Sequence, residues 1–137
     1  MEFKAYKMDG LGNDFVIIDR RKNDVNLSKE EIIKIGNRNN IGFDQIIFIE
    51  KDIKGAFPIT IYNPDGIEVG ACGNGSRCIA YLISKENNQR FIKLKADKKI
   101  LEAEILSEKN VKINMGFPEF NDWEKIPLKN EKLNPKV

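Results

Sequence analysis

Histidine is missing from this chain altogether, and with it go the commonest general base and the commonest metal ligand. A Ser-His or Cys-His pair within the chain is thereby excluded. Only two cysteines occur among 137 residues. Alone they make a poor zinc site, and in a chain that looks intracellular they argue against a disulfide framework. Each is left as either buried filler or a reactive thiol. No apolar run approaches the ~20 residues that a membrane span needs, and the opening MEFKAYKMDG has no apolar signal-peptide core. A cytoplasmic location is therefore expected, with no membrane partner. Charge of one sign is also scarce: 23 Lys and Arg against 21 Asp and Glu leave +2, which gives no reason to expect a nucleic-acid partner.

What is present suits a folded domain. Hydrophobic residues make up 41% and charged residues 32%, enough apolar material for one core and too balanced a charge for disorder. The length fits a single domain, and no internal repeat or low-complexity tract is visible.

The opening EFKAYK and the run Phe15 to Ile18 read as strands around Asp9-Gly10-Leu11-Gly12-Asn13-Asp14, a tight loop whose glycines can take positive φ. Ser28 followed by Glu31 is a capping box, and with Ile32, Ile33 and Ile35 as apolar face it predicts a helix from about Lys29 to Arg38. Gln45 to Glu50 and Phe57 to Tyr62 have the isoleucine and aromatic content of buried strands. Asn63-Pro64-Asp65-Gly66 is a turn, as in type I, that lets Ile67 to Gly70 return as a strand.

After Ala71-Cys72-Gly73-Asn74-Gly75-Ser76 the run Arg77 to Ile83 is apolar nearly all round, which predicts a helix starting near Asn74 and surrounded by protein. Three alternating segments follow, centred on Ile92 to Ala96, Leu101 to Ile105 and Val111 to Met115, and their short polar connections predict an antiparallel meander with one face on the core. From Gly116 onward no steady period survives.

Cys72 falls where the predicted helix begins. Unpaired N–H groups and the dipole of a helix start favour a thiolate, and Gly70, Gly73 and Gly75 remove side chains so that a ligand carboxylate can approach the same N–H groups. That pairing suits removal of an unactivated α-proton, where a carboxylate must be held and developing enolate-like charge stabilised. Without more than spacing to go on, the residues favour the plainer reading, a small buried Cys72 in a tight strand-to-helix turn. Cys78, inside the apolar run, is expected to pack in the core. At a rise of ~1.5 Å per residue the two cysteines lie too far apart on one helix for an unstrained disulfide.

The stretches Met8-Asp9-Gly10-Leu11-Gly12-Asn13-Asp14-Phe15 and Ala71-Cys72-Gly73-Asn74-Gly75-Ser76-Arg77-Cys78 resemble the opening and catalytic-cysteine motifs of diaminopimelate epimerases. Asn37-Arg38, Ile41-Gly42-Phe43-Asp44-Gln45 and Tyr62-Asn63-Pro64-Asp65-Gly66 resemble the intervening family segments, in the same order. The resemblance covers residues 1 to about 118. It implies an α+β fold, a curved, mostly antiparallel sheet wrapped around a central helix, and an isomerase that interconverts LL- and meso-diaminopimelate for lysine and peptidoglycan synthesis. Two cysteines from two similar domains would work on opposite faces of the α-carbon, without pyridoxal phosphate or any other cofactor, and without metal. Cys72 would be one of them. Asn13, Gln45 and Asn63 would contact substrate through their side chains, and Gly73 and Asn74 through the backbone. Gln45 is the most telling of the side chains, because an amide opening an apolar strand needs partners, whereas Asn13 and Asn63 also suit turns.

The resemblance further implies a homodimer and a second domain, with residues 1–118 as the first domain, lacking its closing C-terminal strand, and 119–137 as linker or the start of the second domain. The chain alone is therefore expected to be inactive and to carry an open sheet edge. Two departures stand out. Asp9 occupies a position where the family usually has histidine, and the segment Asn37 to Gly42 is one residue shorter and lacks the first of two glycines, a place Asn40 is expected to fill in the left-handed region. Other readings are a related racemase or isomerase of the same fold, acting on proline, histidine or a phenazine precursor, and a truncated, non-catalytic interaction module.

Overall fold

The computed structural model describes residues 4–70, 72–107 and 110–114. The elements, in chain order, are β1 (Ala5–Gly10), β2 (Asn13–Asp19), α1 (Lys29–Gly36), β3 (Gln45–Ile49), β4 (Ala56–Tyr62), β5 (Glu68–Val69), α2 (Gly73–Asn87), β6 (Phe91–Ala96), β7 (Lys99–Ser107) and β8 (Asn110–Asn114). All eight strands join one mixed sheet, ordered β1-β2-β3-β4-β6-β7-β8, with β5 pairing beside β4. Five pairings are antiparallel; β2 with β3 and β4 with β6 are parallel. The sheet is thus mostly antiparallel, and β6 to β8 form the expected meander. Met115 and the expected linker lie outside the described residues.

The sequence accounts for the layers. β2 and β3 are continuous apolar runs because both of their faces are covered. Phe15, Ile17, Ile47 and Ile49 pack on one side with Ile79, Ala80 and Ile83 of α2. Val16, Ile18, Ile46 and Phe48 pack on the other with Val25, Ile32 and Phe43. In β6 and β7 only Ile92, Leu94, Ala96, Leu101 and Ala103 are buried, and the residues between them face outward. α2 lies against β1, β2, β3, β6, β7 and β8, and no residue from Cys72 to Ser84 is exposed, in keeping with an apolar run that has no polar stripe. Burying Ile79 and Ile83, both 0% exposed, stabilises the fold by roughly 1.5–3 kcal/mol each relative to exposure.

Several local expectations are corrected. α1 ends at Gly36, two residues before Arg38, because Asn37 turns extended at φ −67, ψ 127 and Arg38 is drawn to Asp14 and Asp44. Its capping box is intact: the Glu31 N–H donates to Ser28 Oγ at 3.1 Å, and the Ser28 N–H to Glu31 Oε1 at 3.0 Å. Ile32 and Ile35 turn inward, whereas Ile33 stays 43% exposed. Asn40 is not left-handed; Gly42 is, at φ 73. The Asn40 amide instead donates to the Lys34 carbonyl at the end of α1, capping it. In the β1–β2 turn Gly12 takes positive φ as expected, but its companion is Leu11, at φ 51, and Gly10 stays in the strand. The returning strand shrinks to Glu68–Val69, and α2 opens one residue earlier than expected, at Gly73.

Candidate active site

Four chain segments converge at one end of the sheet. β2 and β3 run parallel with Phe15 opposite Gln45, and β3 pairs with β4 so that Ile46 faces Tyr62. The first residues of β2 and β3, Asn13 and Gln45, therefore share an end with Asn63, which follows the last residue of β4. The turn after Asn63 forms as the sequence predicts, the Gly66 N–H donating to the Asn63 carbonyl at 2.9 Å with Gly66 at φ 79. α2 begins against the same end. A Cβ on Gly75 would meet Ile47 Cδ1 at 2.5 Å and Phe15 Cε1 at 3.3 Å, so only glycine lets the helix start sit this close.

Cys72 is the N-cap of α2, in extended backbone at φ −145, ψ 113. Its sulfur accepts the Gly75 N–H at 3.5 Å, and its carbonyl accepts the Ser76 N–H at 2.8 Å, the first intrahelical bond. The Gly73 and Asn74 N–H groups precede that bond and belong to the unpaired start of the helix. Around Gly73 there is room: a Cβ there would touch only Arg77 Nη1, at 3.4 Å. Cys72 is half-buried, as are Asn13, Gln45, Asn63, Gly73 and Asn74. Cys78 is buried among apolar groups, and burial, aided by the neighbouring Cys72 and Asp9, pushes its thiol up to about 11. At neutral pH Cys78 is a neutral packing group.

The predicted polar residues meet in two sets. The Gln45 amide donates to Asn63 Oδ1 at 3.3 Å, which supplies the partner expected for Gln45. Asn74 Nδ2 donates to Asn13 Oδ1 at 2.8 Å. No hydrogen bond between described residues joins one pair to the other. Two residues to which the sequence reading gave no role extend the second pair: Arg77 donates to Asn74 Oδ1 at 3.0 Å, and Asn13 Nδ2 donates to Asp44 Oδ2 at 3.2 Å. The spacing of Asn74 and Arg77, three apart on a helix, was the available signal; for Asp44 the sequence offered none. Arg38 grips Asp14 at 2.5 and 2.9 Å and Asp44 at 3.0 Å, and Lys7 adds 2.8 Å to Asp14. The Arg38 guanidinium, then Lys7, hold the Asp14 carboxyl well below the usual carboxylate range. Beside the start of α2 a depression of about 630 Å³ is bordered by Met8, Leu11, Asn74, Arg77, Cys78 and Val111.

The fold, with Cys72 at the N-terminus of α2, has counterparts among solved structures. A solved phenazine biosynthesis protein of the PhzF family from Enterococcus faecalis matches it at TM-score 0.59 over 77% of this chain and 41% of its own, at 15% identity. A family model described as diaminopimelate epimerase matches residues 5–121. The chain belongs to the diaminopimelate epimerase family. The diaminopimelate epimerase of Pelagibacter ubique is 48% identical over 128 residues, 93% of this chain and 46% of that protein. That of Acidiphilium cryptum is 42% identical, over 89% and 44%. The chain spans about half the length of the curated relatives it matches.

Proposed function

We propose that the protein carrying this chain is a cofactor-independent epimerase interconverting LL- and meso-diaminopimelate, in lysine and peptidoglycan synthesis, and that Cys72 is one of its two acid-base thiols. The relatives just described carry the name of that activity. The observation that carries the reading is the Cys72 sulfur at the N-cap of α2, beside N–H groups that no side chain screens at Gly73. A substrate carboxylate seated on the Gly73 and Asn74 N–H groups brings its α-carbon beside that sulfur. The Cys72 thiolate takes the α-proton while the N–H groups stabilise the charge spreading into the carboxylate. A second thiol, supplied from outside this chain, delivers a proton to the opposite face. Asn13, Gln45 and Asn63 hold the remaining polar groups of the substrate.

Residues 1–118 form the first of two such domains in this reading, with the sheet curling around α2. The contacts of α2 with both end strands of the sheet, β1 and β8, support that curl. A polypeptide of these 137 residues alone has a thiol for one face only and is expected not to invert substrate. The test is turnover of LL-diaminopimelate in D2O by the whole protein that contains the chain. Inversion is expected to place one solvent deuterium on the inverted carbon, and Cys72→Ser is expected to abolish it. Full epimerisation by Cys72→Ser refutes the reading.

A further inference from the structure

We propose that Asp44 and Arg77 are positioning residues which, from the two ends of one hydrogen-bond chain, fix the orientation of the Asn13 and Asn74 side-chain amides. The chain runs Arg77 Nη1 to Asn74 Oδ1 at 3.0 Å, Asn74 Nδ2 to Asn13 Oδ1 at 2.8 Å, and Asn13 Nδ2 to Asp44 Oδ2 at 3.2 Å. An asparagine amide is nearly symmetric in shape, so its donor and acceptor edges exchange by a flip unless the partners forbid it. Here they do. A guanidinium only donates and a carboxylate only accepts. Turning over either asparagine alone sets oxygen against oxygen at one of the three links and N–H against N–H at another. Turning over both leaves Asn13 Oδ1 against Asp44 and Asn74 Nδ2 against Arg77.

The Asp44 end is itself anchored. Its Oδ2 also accepts the Asp14 N–H at 3.0 Å, and its Oδ1 accepts from Arg38 at 3.0 Å. The Arg77 end sits on α2, one turn below Gly73. The chain thus ties the start of α2 to the start of β2, and it leaves each asparagine with one N–H beyond those it spends within the chain. In the function proposed above, on which this inference rests, that remaining Asn13 N–H is what a substrate oxygen meets; a flipped Asn13 would offer its carbonyl instead. Asp44 and Arg77 act through the asparagines, so their removal changes ligand affinity before it changes the thiol.

The test follows the side-chain amide signals of Asn13, Asn74 and Gln45 in the 15N-labelled 137-residue chain by NMR. Arg77→Gln, which can either donate or accept, is expected to displace the Asn13 signals although its only described hydrogen bond is to Asn74. Arg77→Lys, which keeps a group that only donates, is expected to return them toward wild type. Asp44→Asn is expected to displace the Asn74 signals from the other end. Gln45, outside the chain, reports that the fold is intact. Displacement confined to the nearest asparagine in each variant overturns the proposal, as does Arg77→Lys disturbing Asn13 as much as Arg77→Gln. If Asp44→Asn fails to fold, the two Arg77 variants decide the matter alone. In the whole protein Arg77→Gln is expected to raise KM about tenfold with the rate of Cys72 alkylation unchanged. Epimerisation that survives Cys72→Ser would sink the functional reading and leave the NMR outcome as it stands, so the two failures are separable.

Discussion

Two glycines two residues apart at the head of α2 are predicted to respond unequally to the same added methyl group, Gly75 losing stability and Gly73 not. At Gly75 a Cβ would lie 2.5 Å from Ile47 Cδ1, 3.3 Å from Phe15 Cε1 and 3.5 Å from Cys72 Sγ. Ile47 and Phe15 are 0% exposed, so neither can swing aside into solvent, and overpacking of that kind costs about 1–3 kcal/mol. Alanine recovers up to about 1 kcal/mol of helix propensity over glycine. The net expectation for Gly75→Ala is a loss of about 1 kcal/mol, or ~3 °C in Tm for a chain of this size. At Gly73 the new methyl meets only Arg77 Nη1, at 3.4 Å, and Gly73→Ala should stay within about 0.5 kcal/mol of wild type or gain slightly. The same methyl stands where a carboxylate would approach, so in the whole protein Gly73→Ala should lose activity without losing stability. Urea denaturation of the two variants, with equal m-values, is the assay. Equal stability of the two, or the reverse order, refutes the packing argument.

Cys78→Ala should flatten the alkaline limb of the stability curve. The folded thiol is raised from 9.0 to about 11 by burial first, so its contribution is complete below pH 9 and lost as pH rises through about 11; denaturation at pH 8 and pH 11 checks this. Asp14→Asn works at the acid end. The Asp14 carboxyl is depressed by Arg38 and Lys7 from the usual 3.8, so the stability it adds is present above about pH 4 and lost progressively below it. The variant should melt lower than wild type at pH 7, with the gap closing as the solution is acidified. Ile79→Ala, on the buried face of α2 and 0% exposed, should cost about 2–5 kcal/mol, measurable by the same urea titration.

Local rules made much of this fold legible. The Ser28/Glu31 box marks the start of α1, and alternation at Ile92 to Ala96 and Leu101 to Ala103 assigns the inward face of β6 and β7. The glycine-flanked Cys72 marks the head of α2, and the apolar run after it correctly places Cys78 in the core. Pairing was harder to read. That β2 lies parallel to β3 and β4 to β6 is decided by packing across the core, which no periodicity encodes. Left-handed positions were misplaced where tertiary contacts override residue preference: Leu11 accepts φ 51 in a two-residue hairpin, while Asn40 spends its amide on the end of α1. The site divided along the same line. Cys72, Gly73 and Asn74 are local to one turn of helix, whereas the tie from Asn13 to Asp44 spans 31 residues and cannot be seen before the chain folds.

The most direct test of the account is site-resolved alkylation of the native 137-residue chain with iodoacetamide at pH 8, read by peptide mass spectrometry. Cys72, half-buried at the N-cap, is predicted to be modified while Cys78, 7% exposed, stays protected until the chain is denatured. Modification of Cys78 first, or a Cys72 that reacts only after unfolding, contradicts the placement of the sulfur on which the proposed chemistry rests.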